Sequence, residues 1–333
     1  MTADKKTVKK VKKDEKDKLT PKEKRELSIK KFERAVAKAM TIEPKDEREA
    51  FAERRGILGM LVKARVDSQS QRIKSDNQAC RKADGSPQDI EYSTARLRML
   101  KQCPDIVVYA DQCRAQEDKL ADRVEELLKD EPIYRDYLKD ITGVGPIFAA
   151  YIIAAIDIYV AETVSKIWRY CGLDPSDIPG KIYKNVKEYK KSDGEIGGEH
   201  TTKEGTKQYI VRTNVMVRAD KLTKGYISPF NGNLRMALLG IGADSFIKSN
   251  SPYKKIYDEY KHRLEHRTDL VRHEGVDTPW KDVTDGHRHN AAKRYMMKMF
   301  IADLYNAWRP MYNLEVRPTY QEEKLGHVHK AAM

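Results

Sequence analysis

The tightest constraint on this chain is the run Thr142-Gly143-Val144-Gly145-Pro146, followed at once by apolar residues to Ile156. Glycines at 143 and 145 admit positive φ and let another segment approach closely. Pro146, with its fixed φ and missing N–H, suits the first position of a helix. The run therefore reads as a tight turn between two helices. Such a turn leaves N–H groups free at the start of the second helix, where the macrodipole favours negative charge, so it can seat a phosphate. The same spacing also serves an ordinary αα-corner in which glycine only permits close packing.

Charge bears on that choice. Lys and Arg number 64 against 51 Asp and Glu, a net charge of +13, and charged residues make up 35% of the chain. This surplus favours a polyanionic partner, and without a long apolar run nucleic acid is expected rather than a membrane. DNA is the expected partner, with RNA left open. The Gly-x-Gly turn ahead of a small apolar helix resembles a helix-hairpin-helix, which grips the nucleic-acid backbone without reading sequence. Cys80, Cys103, Cys113 and Cys171 contain no Cys-x-x-Cys pair and read as reduced thiols, not a metal site or a disulfide framework. With no apolar segment after the basic N-terminus, no secretory signal is expected, and the protein is placed in the cytoplasm, associated with DNA or the nucleoid. No cofactor and no metal are expected.

The fold class expected is mainly α: a helical stalk, then a helix-hairpin-helix-containing helical domain with a small β-hairpin insertion. Residues 1–31 are lysine-dominated and expected to be a disordered tail, either a polybasic arm or a solubilising one. Residues 32–130 are expected to form the stalk. A helix from about Asp46 to Ala83 carries Ile57, Leu58, Leu61 and Val62 and then turns polar, so it needs a partner, another helix or nucleic acid. A second helical region from about Ile90 to Lys129, interrupted near Pro104, is expected to pair with it or with a second copy, giving a homodimer or higher oligomer.

Residues 131–315 are expected to form the hairpin-bearing domain and 316–333 a C-terminal tail. Within it a short helix from Val164 to Cys171 carries Lys166 and Arg169, placed to flank a phosphate. Residues 181–218 read as two strands joined by the flexible tip SDGEIGGEHTTKEGT. A polar turn of Gly225, Ser228, Asn231, Gly232 and Asn233 precedes a helix from about Leu234, with Lys221, Lys224 and Arg235 beside it. That repeats the anion-binding logic of the first turn, or Asn233 is simply a helix cap. A helix from Ser251 to about His266, a loop through Pro279 and a last helix from Gly286 to Trp308 complete the domain. Tyr295, Met296, Met299, Phe300 and Leu304 are expected in the core, and His287 and His289 point to different helix faces, which argues against a metal pair.

Three stretches in succession carry a wider likeness: Ile141 to Pro146 with Ala149 and Ala150, then Tyr170-Cys171-Gly172-Leu173-Asp174-Pro175, then Gly225-Tyr226-Ile227-Ser228 through Gly232-Asn233-Leu234-Arg235. Together they resemble the C-terminal part of the DEDD-type insertion-sequence transposases, whose RNA-guided members are called bridge recombinases. The resemblance spans about residues 50 to 312, and more weakly takes in Arg65, Arg72 and Asn77 as the family's basic helix. It implies DNA recombination or transposition by a mobile element, with a serine nucleophile between the second and third stretches. The interval holds Ser176 and Ser192, of which Ser192, close to Gly194, is the catalytic candidate, although no activating base is evident. The family's RNase H-like domain with its metal-binding carboxylates is expected to be lacking ahead of the polar helix.

The function expected is therefore largely sequence-independent DNA binding through Lys139, Thr142, Gly143, Val144, Gly145, Lys166, Arg169, Lys221, Lys224, Ser228, Asn233 and Arg235. The alternatives are an active transposase or recombinase subunit using Ser192, and a structural or assembly protein of a virus or mobile element.

Overall fold

The computed structural model describes residues 20–39, 43–86, 94–273 and 275–318, which form two compact units, 1–51 and 52–333. In the first unit, helix α1 (Pro21–Ala39) replaces the expected disorder from residue 21 onward. Its start is a reciprocal cap: the Thr20 hydroxyl accepts from the Glu23 amide at 3.3 Å, and the Glu23 carboxylate accepts from the Thr20 amide at 2.8 Å. Pro21 then occupies the first helical position. The remainder of the expected lysine tail, residues 1–19, lies outside the described residues, as do 319–333 of the expected C-terminal tail.

The chain is predominantly helical with a small antiparallel sheet. Helix α2 (Glu47–Gln78) is polar along its second half, and its partner is α4 (Asp105–Leu128), reached after the short α3 (Thr94–Gln102). Ion pairs run antiparallel between α2 and α4. Arg65 and Arg72 both meet Glu117, at 2.9 and 2.5 Å, and Asp76 accepts from Arg72 at 3.0 Å and from Arg114 at 2.8 Å. These groups are mostly buried, so the arginines of the polar helix are spent on an intramolecular lock.

Short α5 (Pro132–Asp136) and a 3-10 turn (Leu138–Asp140) lead into the glycine corner and α6 (Pro146–Ala155), in which Phe148 through Ile153 are buried. Helix α7 (Val164–Tyr170) is capped by the Thr163 side chain, and its Trp168 indole N–H donates to the Lys298 carbonyl at 3.0 Å. The insertion holds three strands rather than two: β1 (Asp177–Asn185), β2 (Glu195–Thr201) and β3 (Lys207–Arg218), ordered β1-β3-β2 and antiparallel. The supposed flexible tip contributes β2, which pairs along the free edge of β3 from Glu195 opposite Arg212 to Thr201 opposite Lys207.

Helix α8 (Gly232–Met236), a π-helical turn (Ala237–Gly242) and α9 (Ala243–Lys248) run on without interruption. The cap of α8 is Asn231, whose side chain accepts from the Leu234 amide at 3.1 Å, not Asn233. Helix α10 (Pro252–Glu265) follows, and the expected loop to Pro279 contains a hairpin, β4 (Leu270–His273) with β5 (Val276–Pro279). The central element is α11 (Asp285–Met311), capped by Thr284. Its Phe300 joins Phe148, Phe246 and Tyr253 in a buried aromatic cluster with ring centroids 5.1 to 6.2 Å apart. Buried Arg309 donates to the carbonyls of Ile158 and Ala161 at 3.1 and 2.8 Å, which fixes the loop after α6 onto α11.

Candidate nucleic-acid interface

The glycine corner and the cationic residues expected beside it occupy two distinct places. At the corner, Gly143 has φ +95°, and a Cβ there would come within 2.8 Å of the Phe246 ring and of Ser249 Oγ. Its carbonyl accepts from the Ser245 hydroxyl at 2.8 Å. Glycine at 143 is thus demanded by close packing on α9. Gly145, by contrast, has an extended φ of −88° and open space around it, so its conformation does not need glycine. The Val144 amide donates to Ile141 at 2.9 Å and is not free for a phosphate. The amides of Gly145 and Ile147 have no acceptor among the described residues, and Thr142 and Lys139 are exposed beside them.

The second place is a cleft of about 580 Å³ between the end of β3, the Leu173–Pro175 loop, α10, the β4–β5 hairpin and α11. Helix α11 supplies its floor through His287, Ala291, Arg294 and Lys298, a stripe at one-face helical spacing. Small Ala291 leaves the room. Arg218, Lys221, Arg235 and Arg272 enter from the other elements, so six Lys or Arg side chains line the cleft with one carboxylate, Asp220, and Arg272 also reaches Asp277 at 4.0 Å. Asp220 is already neutralised by Arg218, which donates to both its oxygens at 2.9 and 2.8 Å.

The cations on the floor are mostly withdrawn from water. Among the described residues neither Arg294 nor Lys298 forms an ion pair; Lys298 Nζ lies 5.1 Å from the Trp168 ring centroid. Burial holds both below their ordinary pKa, Arg294 against the attraction of Asp220 and Lys298 against that of Asp174 and Asp220. Burial likewise lowers His287, with further lowering from His273 and Arg294. A bound anion would act against each of these shifts.

One wall of the cleft is aromatic. Tyr260 and Tyr295 stack with centroids 4.1 Å apart and planes at 13°, and Trp280 packs against His287 at 5.4 Å. Trp280 stands on a short 3-10 turn whose position is fixed by Arg288, which donates to the Lys281 and Val283 carbonyls at 3.0 and 2.7 Å. Tyr295, expected in the core, is instead part-exposed on this wall.

Of the residues expected to bind nucleic acid, only Lys221 and Arg235 line the cleft. Arg235 acts there as a strut: it donates to the carbonyls of Gly172 at 2.9 Å and of Asp220, and lies over the Phe230 ring. Arg169 pairs with Asp174 at 3.3 Å and Lys166 with Glu162 at 2.5 Å, so both are partly compensated at the surface. Lys224 and Asn233 are exposed, and the Ser228 hydroxyl donates to the Phe230 carbonyl at 2.8 Å. Ser192 is exposed on a 3-10 turn, where neighbouring Asp193 is occupied by the Lys190 amide and Lys184. No base contacts Ser192 among the described residues. The corner's contacts, Phe246, Ser245 and Ser249, do not line the cleft. Among the described residues no cluster of His, Cys, Asp and Glu could hold a metal, and no helix is long and apolar enough to cross a membrane. Comparison of the chain with protein-family models, curated proteins and solved structures gives no significant match.

Proposed function

We propose that this protein binds nucleic acid, DNA foremost, by holding backbone phosphates in the cationic cleft, largely without regard to sequence. The observation that carries the reading is the charge imbalance of the cleft: of its six Lys or Arg side chains, Arg218 answers the one lining carboxylate and Arg272 reaches Asp277, while Lys221, Arg235, Arg294 and Lys298 form no ion pair among the described residues. Withdrawing a charge from water without a counter-charge costs several kcal/mol, and an arriving phosphate offsets that cost. Contacts of this kind position a strand without specifying its sequence. The free amides at Gly145 and Ile147, with exposed Lys139, give a second and weaker phosphate seat in the manner of a helix-hairpin-helix.

The TGVGP, GLDP and GYIS stretches support a relation to a transposase C-terminal domain. Oligomerisation through α2 and α4 belongs to the same proposal, supported by Ile57 and Met60, which stand 43% and 68% exposed on α2.

The test is an electrophoretic-shift titration of the full chain at two salt concentrations. With about four phosphates neutralised, raising salt from about 50 to about 200 mM weakens binding about 100-fold. Replacing Arg294 and Lys298 together by glutamine should abolish most of the binding at low salt. No binding at low salt, or binding unaffected by the double substitution, would overturn the reading.

A further inference from the structure

The cleft joins two unlike surfaces, a cationic floor and an aromatic wall, and phosphate alone needs only the first. We propose, resting on the nucleic-acid reading above, that what enters is a single unpaired nucleotide of a strand. Its base lies against Trp280 and Tyr295, and its phosphate is held by Arg294 and Lys298.

Three observations carry this. The volume of about 580 Å³ falls within the roughly 300–1,000 Å³ of small-ligand sites, so it accommodates a nucleotide. The aromatic wall is preorganised: Tyr295 is held flat by its stack on Tyr260, and Trp280 by the turn that Arg288 clamps. Aromatic side chains beside a cationic track are how unpaired strands are held, because every base offers a π-face whatever its identity. Exposed Lys221 and Arg272 at the rim then meet the neighbouring phosphates of the same strand. A paired base cannot use this wall, since both its faces are already stacked within the duplex. The cleft therefore selects strand ends, gaps and extruded bases over intact double helix.

The experiment compares four ligands with the full chain at low salt: oligo-dT of about twelve nucleotides, the same strand paired with its complement, an abasic strand with all phosphates retained, and thymidine monophosphate. Oligo-dT should bind at least about tenfold tighter than the duplex and the abasic strand, and should quench tryptophan fluorescence. Trp280→Leu should remove the quenching and weaken oligo-dT binding about tenfold while leaving duplex affinity unchanged. The abasic arm needs no altered protein, so it decides the matter even if Trp280→Leu fails to fold. Equal affinity for all three polymers overturns the unpaired-nucleotide proposal and leaves general nucleic-acid binding intact. Binding of the monophosphate as tight as that of oligo-dT overturns the assignment to a strand. Failure of every polymer to bind overturns both.

Discussion

The α2–α4 pair and the α11 cleft are built from the same residue types, yet their arginines have opposite meanings. In the helix pair Arg65, Arg72 and Arg114 share Glu117 and Asp76, so every guanidinium has a carboxylate within hydrogen-bonding reach. In the cleft Arg294 and Lys298 have none. A buried cation answered from within the chain is a structural clamp, whereas one left unanswered is, on our proposal, a seat for a ligand. Net charge of +13 says only that unanswered cations exist; their neighbours say where.

The largest effect that would sharpen this contrast comes from Glu117→Leu. It leaves Arg65 without a counter-ion and Arg72 with Asp76 alone, and should cost about 3–5 kcal/mol in urea unfolding, with nucleic-acid affinity of the folded protein unchanged. Next comes Gly143→Ala, which combines a left-handed backbone with collision against Phe246 and should cost about 2–4 kcal/mol. Gly145→Ala, in open space, should stay within about 0.5 kcal/mol in the same assay. A corner that tolerated both substitutions equally would not be the packing joint described.

Arg294→Gln should weaken binding by about 1.5–3 kcal/mol, the scale of hydrogen bonds to charged groups, and leave the unliganded protein no less stable. Loss of stability instead would make Arg294 a clamp like Arg72 and erase the contrast. A smaller effect follows from His287, which burial keeps neutral below its usual range. In the unliganded protein, stability should fall as pH drops through and below about 6.5, because the unfolded chain takes up the proton more readily. A bound phosphate raises the His287 pKa, so affinity should increase over that same descent, and His287→Gln should flatten the increase. Ser192→Ala should change stability by less than about 0.5 kcal/mol and leave binding intact; a covalent protein–DNA adduct lost in that variant would instead identify a nucleophile.

Much of the helical framework was legible because punctuation is local. Pro146 marked the start of α6, and Pro104 marked the break ahead of α4. The Thr20–Glu23 cap was equally present in the sequence but was masked by the surrounding lysines. Strand β2 was illegible for a different reason. Glu195–Thr201 contains two glycines and gains its strand conformation from the unpaired edge of β3, a tertiary override of weak propensity. The β4–β5 hairpin did leave a trace, in Val271 facing Thr278 and His273 facing Val276 around Gly275.

The cleft gathers residues from Leu173 to Lys298, and no window of sequence contains it. Its one local signature was the His287, Ala291, Arg294, Lys298 stripe, a basic face on a helix whose opposite face is apolar. The glycine turn drew attention away from it, because a joint needed for packing and a seat for phosphate ask for the same residues.

The π-helical turn between α8 and α9 sets the rotational phase of everything after it. Each residue advances a helix by about 100°, so one residue more or fewer in that turn swings the following side chains by more than a quarter revolution. Leu234 and Phe246 both face inward only because the wide turn absorbs this offset. Removing a single residue from Ala237–Gly242 would restore a regular spiral and aim Phe246 away from Phe148 and Phe300. The wide turn is thus a spacer whose length is locked to the core, and the segment tolerates exchange of residue type there more readily than any change in their number.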